Sequence, residues 1–393
     1  MIEINLKKEI ILRVNKIKTQ MKKHKINACI ISSSVNLFYA SGKVFKGYIY
    51  IDNINDPIYF VQRPVGMKGD NIHYIRKPED ILPKLTELGI DIPSETAFET
   101  DALTYNEMIR LQKAFNITAL NNANQLLREA RAVKTDYEIS LIKESGIKHA
   151  ALYSHIPDVF HEGMSDQEMS IDLEYKSRLL GNLGMFRIFG SSMEIFMGSV
   201  IAGDNADNPS PYDFAMGGAG SNPTLPVGAN GTILSPGITL MVDMGGNFTG
   251  YMTDMTRSYI INRINSDVAI KAHQCSIKIE KEIMKIARPG VEAKSLYELA
   301  IEIVKAEGLE NYFMGHKQKA GFIGHGVGIE INEIPVIAPK SKDILEEGMV
   351  FALEPKFVIP GIGAVGNENT FVVRDSGLEK VTIFEEGLTV LED

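Results

Sequence analysis

Cysteine is nearly missing from this chain, with two in 393 residues, Cys29 and Cys275. Neither has another Cys or His at metal-ligand spacing, which excludes a disulfide scaffold and a thiolate zinc site. Both read as small buried apolar residues in a reducing compartment. No run of 18 apolar residues occurs, and the opening MIEINLKKEIILRV has no continuous apolar stretch. Neither a membrane span nor a signal peptide is therefore read, and a cytoplasmic protein is the default. Excess positive charge is lacking as well. The net charge of −9 argues against nucleic acid or an anionic membrane as the main partner. No G-x-S-x-G nucleophile elbow is present. Gly324-His325-Gly326-Val327-Gly328 lacks both the G-x-G-x-x-G frame and the P-loop Lys-Ser/Thr, so it is not read as a phosphate cradle.

What the chain does have is a converging set of metal-ligand residue types in its C-terminal half. Asp243 and Asp254 lie in VDMGGNFTGYMTDMTRS, His325 in GHGVGIEINEIP, and Glu354 and Glu368 in ALEPKFVIPGIGAVGNENTF. The first pair flanks a Gly-rich turn. With the hairpin centred between Phe248 and Thr249, Asp243 stands opposite Asp254, and residues so placed point to one face with Cβ atoms ~4.5–5.5 Å apart. Glu354 and Glu368 repeat the device around Gly361. Four carboxylates brought that close repel and must take up protons unless cations neutralise them. Two divalent ions do so, ~3.5–4 Å apart when carboxylates bridge them. One imidazole among four carboxylates is an oxygen-rich set, suited to Mn or Co better than to Zn.

The length suffices for two domains with full cores. In the first, Ile10, Val14, Ile17 and Met21 give an amphipathic helix. Short β-rich runs follow at 28–32, 47–52 and 57–62, an α/β alternation extending to about residue 130. RAVKTDYEISLIK marks the boundary, read as domains 1–132 and 133–393. Thr135 with Glu138 and Ser165 with Glu168 form capping boxes that open helices. Two more helices are expected at about 266–287 and 292–307. Residues 183–236 are rich in Gly, Pro and Asn and read as a long loop. Its Phe186, Arg187 and Tyr212 are candidate substrate contacts, and His316 is a further candidate should its loop fold back. His149, His155 and His161 have no ligand partners in the sequence and read as structural.

DMGGNFTGYMTDMTRSY resembles the D-x-G-x-x-x-x-G-Y-x-x-D-x-T-R stretch of the prolidase, Xaa-Pro aminopeptidase and methionine aminopeptidase family. GHGVGIEINEIP and Glu354-Pro355 resemble its other metal motifs. The resemblance covers nearly the whole chain. It implies an α/β creatinase/prolidase-like N-terminal domain and an α+β pita-bread catalytic domain of creatinase/aminopeptidase type, commonly as a homodimer. It also implies two divalent metal ions. Asp243 would chelate one, His325 and Glu354 the other, Asp254 and Glu368 would bridge, and Thr256 would steady a ligand carboxylate. The activity implied is removal of the residue before proline from short peptides. Glu354 would relay the proton and Asn332 would support the oxyanion.

Three positions depart from the family pattern. Asn332 replaces a His seven residues after His325. The loop NPTLPVGANGTILSPG lacks a histidine found there in family peptidases. Gly366 stands where prolidase-type members often have Arg. Two other readings stay open on these departures: a non-peptidase hydrolase or lyase acting on a small C–N metabolite, and an inactive binding module.

Overall fold

The computed structural model describes residues 2–69, 71–190, 196–263 and 266–392. The chain divides into two compact units, Met1–Arg131 and Ala132–Asp393. In the first, the helix Ile2–Lys23 buries Val14, Ile17 and Met21 along one stripe. A six-stranded sheet runs in the order Ile72–Tyr74, Ile58–Arg63, Lys46–Asp52, Ala28–Ile31, Ala97–Phe98 and Asn121–Asn122. Ile30, Tyr50, Phe60, Phe98, Leu111 and Phe115 fill its core. These apolar positions recur at strand and helix periods, which is why alternation alone gave the α/β class.

The second unit pairs sheets with helices twice. A four-stranded sheet has the order Thr389–Leu391, Met252–Ile261, Thr239–Asn247 and Gly198–Ala202. Leu152, Leu173, Val242, Met255 and Tyr259 join it to the helices Asp136–Tyr153 and Asp166–Leu179. A five-stranded sheet has the order Glu333–Ile337, Gly324–Gly326, Val350–Leu353, Asn369–Arg374 and Gly377–Lys380. It packs through Phe351, Leu353 and Phe371 on Ile279, Ile283 and Leu296 of the helices Asp267–Ile286 and Ala293–Glu307. Both expected capping boxes are formed, at Thr135/Glu138 and Ser165/Glu168. Each is worth about 1 kcal/mol of helix stability.

All ten residues of Met252–Ile261 are buried, so both faces of this strand are covered and its period of two sorts its chemistry. Thr253, Met255 and Tyr259 face the helices, where Thr253 meets His149 and the other two join the apolar core. Asp254, Thr256 and Ser258 point the other way. The hydroxyls of Thr256 and Ser258 there reach Glu368 and the Gly366 carbonyl.

Two sequence expectations are corrected here. Asp243 faces Thr256 and Asp254 faces Gly245, so the hairpin is centred between Thr249 and Gly250, one residue later than read. The cause is Gly250, whose φ of +89° lets it close the turn. Gly245 and Gly246 lie in the strand instead. A one-residue shift of the centre moves the partner by two, so Asp243 and Asp254 keep a common face as diagonal neighbours. The second correction lies within 183–236, where Gly198–Ala202 is a strand paired with Thr239–Asn247, setting Ser199 against Asp243. Residues 191–195 of that segment lie outside the described residues.

Candidate metal centre

The five candidate ligands do converge. In the Glu hairpin, Leu353 faces Asn369 and Lys356 faces Gly366, a ladder that brackets Glu354 opposite Glu368. An isolated bridge between Thr256 and Glu368 joins this hairpin to the Asp strands. Two groups of donor atoms result, each with its atoms within 4.8 Å of one another: Asp254, His325 and Glu368, and Asp243, Glu354 and Glu368. His325 Nε2 lies 3.3 Å from Glu354 Oε1, 3.7 Å from Asp254 Oδ2 and 4.0 Å from Glu368 Oε1. Thr256 Oγ1 donates to Glu368 Oε2 at 2.6 Å.

The sequence reading missed two cations. Lys356, fully buried, sends its Nζ between Asp243 Oδ2 at 2.8 Å, Glu354 Oε2 at 2.7 Å and Glu368 Oε2 at 3.1 Å. Its signal was available, because it lies two residues beyond Glu354 in the same ladder. Arg257, also buried, donates to the backbone carbonyl of Glu368 at 2.9 Å and to Asn369 Oδ1 at 2.9 Å, anchoring Glu368 and the start of the strand that follows it.

Burial and crowding set the protonation of the bare cluster. Desolvation raises Asp254 well above the carboxylate range, with Glu368, Asp243 and Glu354 adding repulsion. Burial likewise carries Glu368 up to about 7, against the pull of Lys356. For Glu354 the burial penalty is outweighed by Lys356 and His325, which hold it down to about 2. Burial alone would lower His325, but the hydrogen bond and charge of Glu354 bring it up to about 9. The carboxylates thus press for positive charge, as their spacing predicted.

The remaining candidates make other contacts. Phe186 lays its ring on Gly245, the rung partner of Asp254, where a Cβ would come within 2.0 Å of Phe186 Cε1. That contact, rather than the turn, is what requires glycine at 245. Arg187 is half-buried, and its carbonyl accepts from Ile331 N at 2.8 Å. Asn332 uses its amide to hold backbone. Its Oδ1 accepts from Phe189 N at 2.7 Å and its Nδ2 donates to Phe189 O at 2.8 Å, so it clamps the 186–189 segment. His316 is engaged through Nδ1, which pairs with Asp207 Oδ2 at 3.0 Å. Tyr212 lines a cavity with Asp207, Ser210 and Gln318.

A family model described as metallopeptidase family M24 matches residues 140–375, and one described as the creatinase/prolidase N-terminal domain matches 13–133. The chain belongs to metallopeptidase family M24. An Xaa-Pro dipeptidase of Pyrococcus furiosus is 26% identical over 386 residues, 96% of this chain and 99% of that protein. Among solved structures, an Xaa-Pro dipeptidase from Bacillus anthracis superposes with a TM-score of 0.79 at 23% identity, covering 97% of this chain and 100% of the other. The prolidase of Pyrococcus horikoshii gives 0.75 at 23%, covering 95% and 98%. The fold is accordingly the pita-bread one.

Membership in M24 makes the chain a metallohydrolase and implies divalent metal ions. The donor set tests that implication. Glu368 Oε1 is buried without a hydrogen-bond partner, and an orphaned carboxylate oxygen beside an imidazole and a second carboxylate fits a cation. The group of Asp254, His325 and Glu368 passes. The group of Asp243, Glu354 and Glu368 already surrounds an ammonium.

Proposed function

We propose that this chain is a metal-dependent peptidase that removes the residue preceding proline from short peptides. The observation that carries the reading is the convergence of five ligand side chains on one buried cluster, in a chain aligned end to end with an Xaa-Pro dipeptidase. His325, Asp254, Glu368 and Glu354 would hold the ion. Asp243 completes the acidic ring, and Thr256 fixes Glu368. Mn or Co suits the oxygen-rich set better than Zn.

A bound divalent ion supplies Lewis acidity and a water of lowered pKa; the remaining work falls to side chains. Glu354 stays ionised beside Lys356 and can hold a proton at Oε1 on its way to the leaving nitrogen. Phe186 and Arg187, held by Asn332 through Phe189, form the wall against which the peptide is oriented. We assign the protein to the cytoplasm as a homodimer on the family resemblance. No helix among the described residues is long and apolar enough to cross a membrane, and both cysteines are free and buried. Light scattering at the mass of a single chain would refute the dimer.

The test is turnover of an Xaa-Pro dipeptide and tripeptide panel by protein stripped with chelator and reloaded with Mn or Co. Metal-dependent release of the first residue is expected, with Glu354→Gln slowed at least a hundredfold, on the order of lost proton transfer. Folded, metal-loaded protein that releases nothing refutes the peptidase and favours a small C–N substrate, as the missing histidines would allow. Glu354→Gln at wild-type rate refutes the proton relay alone.

A further inference from the structure

The family-typical centre is dinuclear, and the donor set here disagrees with that count at one place. We propose that the Lys356 ammonium permanently takes one of the two cation positions, so that the chain binds a single divalent ion, between His325 and the carboxylates of Asp254, Glu354 and Glu368. The proposal rests on the metal-dependent reading of the site given above.

Asp243, Glu354 and Glu368, which together form one of the two donor groups, are the same three residues that enclose Lys356 Nζ, at 2.8, 2.7 and 3.1 Å. These are lengths of charge-assisted hydrogen bonds, and three ammonium donors meet three acceptors. A divalent ion bound to the same oxygens needs about 2.0–2.2 Å to each. It would coincide with the nitrogen, so ion and ammonium exclude one another there.

Withdrawal of the side chain is blocked. Lys356 is 0% exposed and is fixed along its backbone by the ladder to Gly366 and by Met314 N, which donates to its carbonyl at 2.8 Å. The opposing rung packs closely on this backbone, since a Cβ on Gly366 would lie 2.7 Å from Pro355 O and 2.9 Å from Lys356 Cα. Moving the ammonium off its three carboxylates would strand a buried charge without partners.

The other donor group is complete without Lys356. It keeps Glu368 Oε1, the one oxygen of that residue with no hydrogen bond, and His325 Nε2, 3.3 Å from Glu354 Oε1. Two divalent ions beside the ammonium would crowd three cations around four carboxylates, whereas one ion beside the ammonium leaves two.

The experiment strips purified protein with chelator, loads it with Mn(II), removes free metal and counts Mn per chain by plasma mass spectrometry. Electron paramagnetic resonance then reads whether the ions are isolated or exchange-coupled. Wild type should hold a single, magnetically isolated ion. Lys356→Ala, and Lys356→Met which keeps the stem and deletes the charge, should double the count and show a coupled pair. Two coupled ions in wild type overturn the proposal and leave the metal-dependent reading standing, and that result needs no variant to fold. An unchanged single ion in both folded variants also overturns it. No ion in any of the proteins overturns this proposal and the metal-dependent reading together.

Discussion

Replacing His149 with Gln should flatten the acid side of the stability profile. His149 is fully buried in the helix Asp136–Tyr153, with Nδ1 3.0 Å from Thr253 Oγ1 and Nε2 without a partner. Desolvation, helped by the charge of Arg257, pushes its pKa down to about 3, against about 6.5 in an unfolded chain. A folded-state value below the unfolded one means the unfolded chain binds the proton more readily. Stability from this group is therefore full above pH 6.5 and is lost as pH falls toward 3. At pH 5 the chain is about 1.5 units below the unfolded value, which at 1.36 kcal/mol per unit removes about 2 kcal/mol. The metal cluster's own carboxylates titrate too, but they do so in wild type and variant alike, so the difference between the two proteins isolates His149. The assay is native-state hydrogen exchange of the Asp136–Tyr153 amides in chelator at pH 7.5 and 5.0, corrected for intrinsic rates. Wild type should lose about 2 kcal/mol more protection than His149→Gln over that interval. Equal losses would mean that His149 takes up its proton without unfolding the helix, and would refute the burial argument.

Thr256→Val keeps the side-chain volume but removes the donor to Glu368 Oε2, 2.6 Å away. A ligand that loses such an orienting hydrogen bond binds its metal about 10–100-fold more weakly, read by competition with a fluorescent chelator; unchanged affinity would show that Lys356 and the strand pairing hold Glu368 unaided. Asn332→Ala removes two hydrogen bonds to Phe189, each worth about 1 kcal/mol, and should raise KM for dipeptides about tenfold while kcat stays within about a factor of two. A fall in kcat of about a hundredfold or more at constant KM would instead place Asn332 at the oxyanion.

The carboxylate cluster was legible because a β-ladder obeys arithmetic. Period two and a fixed rung sum carried Glu354 to Glu368 and kept Asp243 and Asp254 on one face even though the first hairpin's centre was misplaced. The misplacement came from reading every glycine of GGNFTG as turn chemistry. Gly250 serves the turn, whereas Gly245 yields space to Phe186 and Gly246 to His149, and neither neighbour is close in sequence. The strand Gly198–Ala202 was hidden for a related reason: five residues inside a Gly- and Pro-rich stretch carry little periodicity. Their pairing with Thr239–Asn247 is a tertiary fact. The contacts of Asn332 with Phe189 and of His316 with Asp207 were not legible, because a residue type suited to a task says nothing about which backbone or carboxylate engages it.

Lys356 is the instructive omission. A motif comparison weighs the positions that agree, and here the acidic ligands agree while the residue between two of them changes the electrostatics of all. The same ladder that sets Glu354 against Glu368 sets Lys356 against Gly366, and Gly366 is the position where prolidase-type relatives often carry Arg. A side chain at 366 would have its Cβ 2.9 Å from Lys356 Cα, and the φ of +146° there already disfavours anything but glycine. Those close contacts, with Pro355 O at 2.7 Å and Lys356 Cα, are with backbone, so glycine at 366 is set by the chain path and not by the lysine stem. Since Lys356 reaches three of the four carboxylates, it brings positive charge to the centre of the cluster, where it competes with metal for the same oxygens.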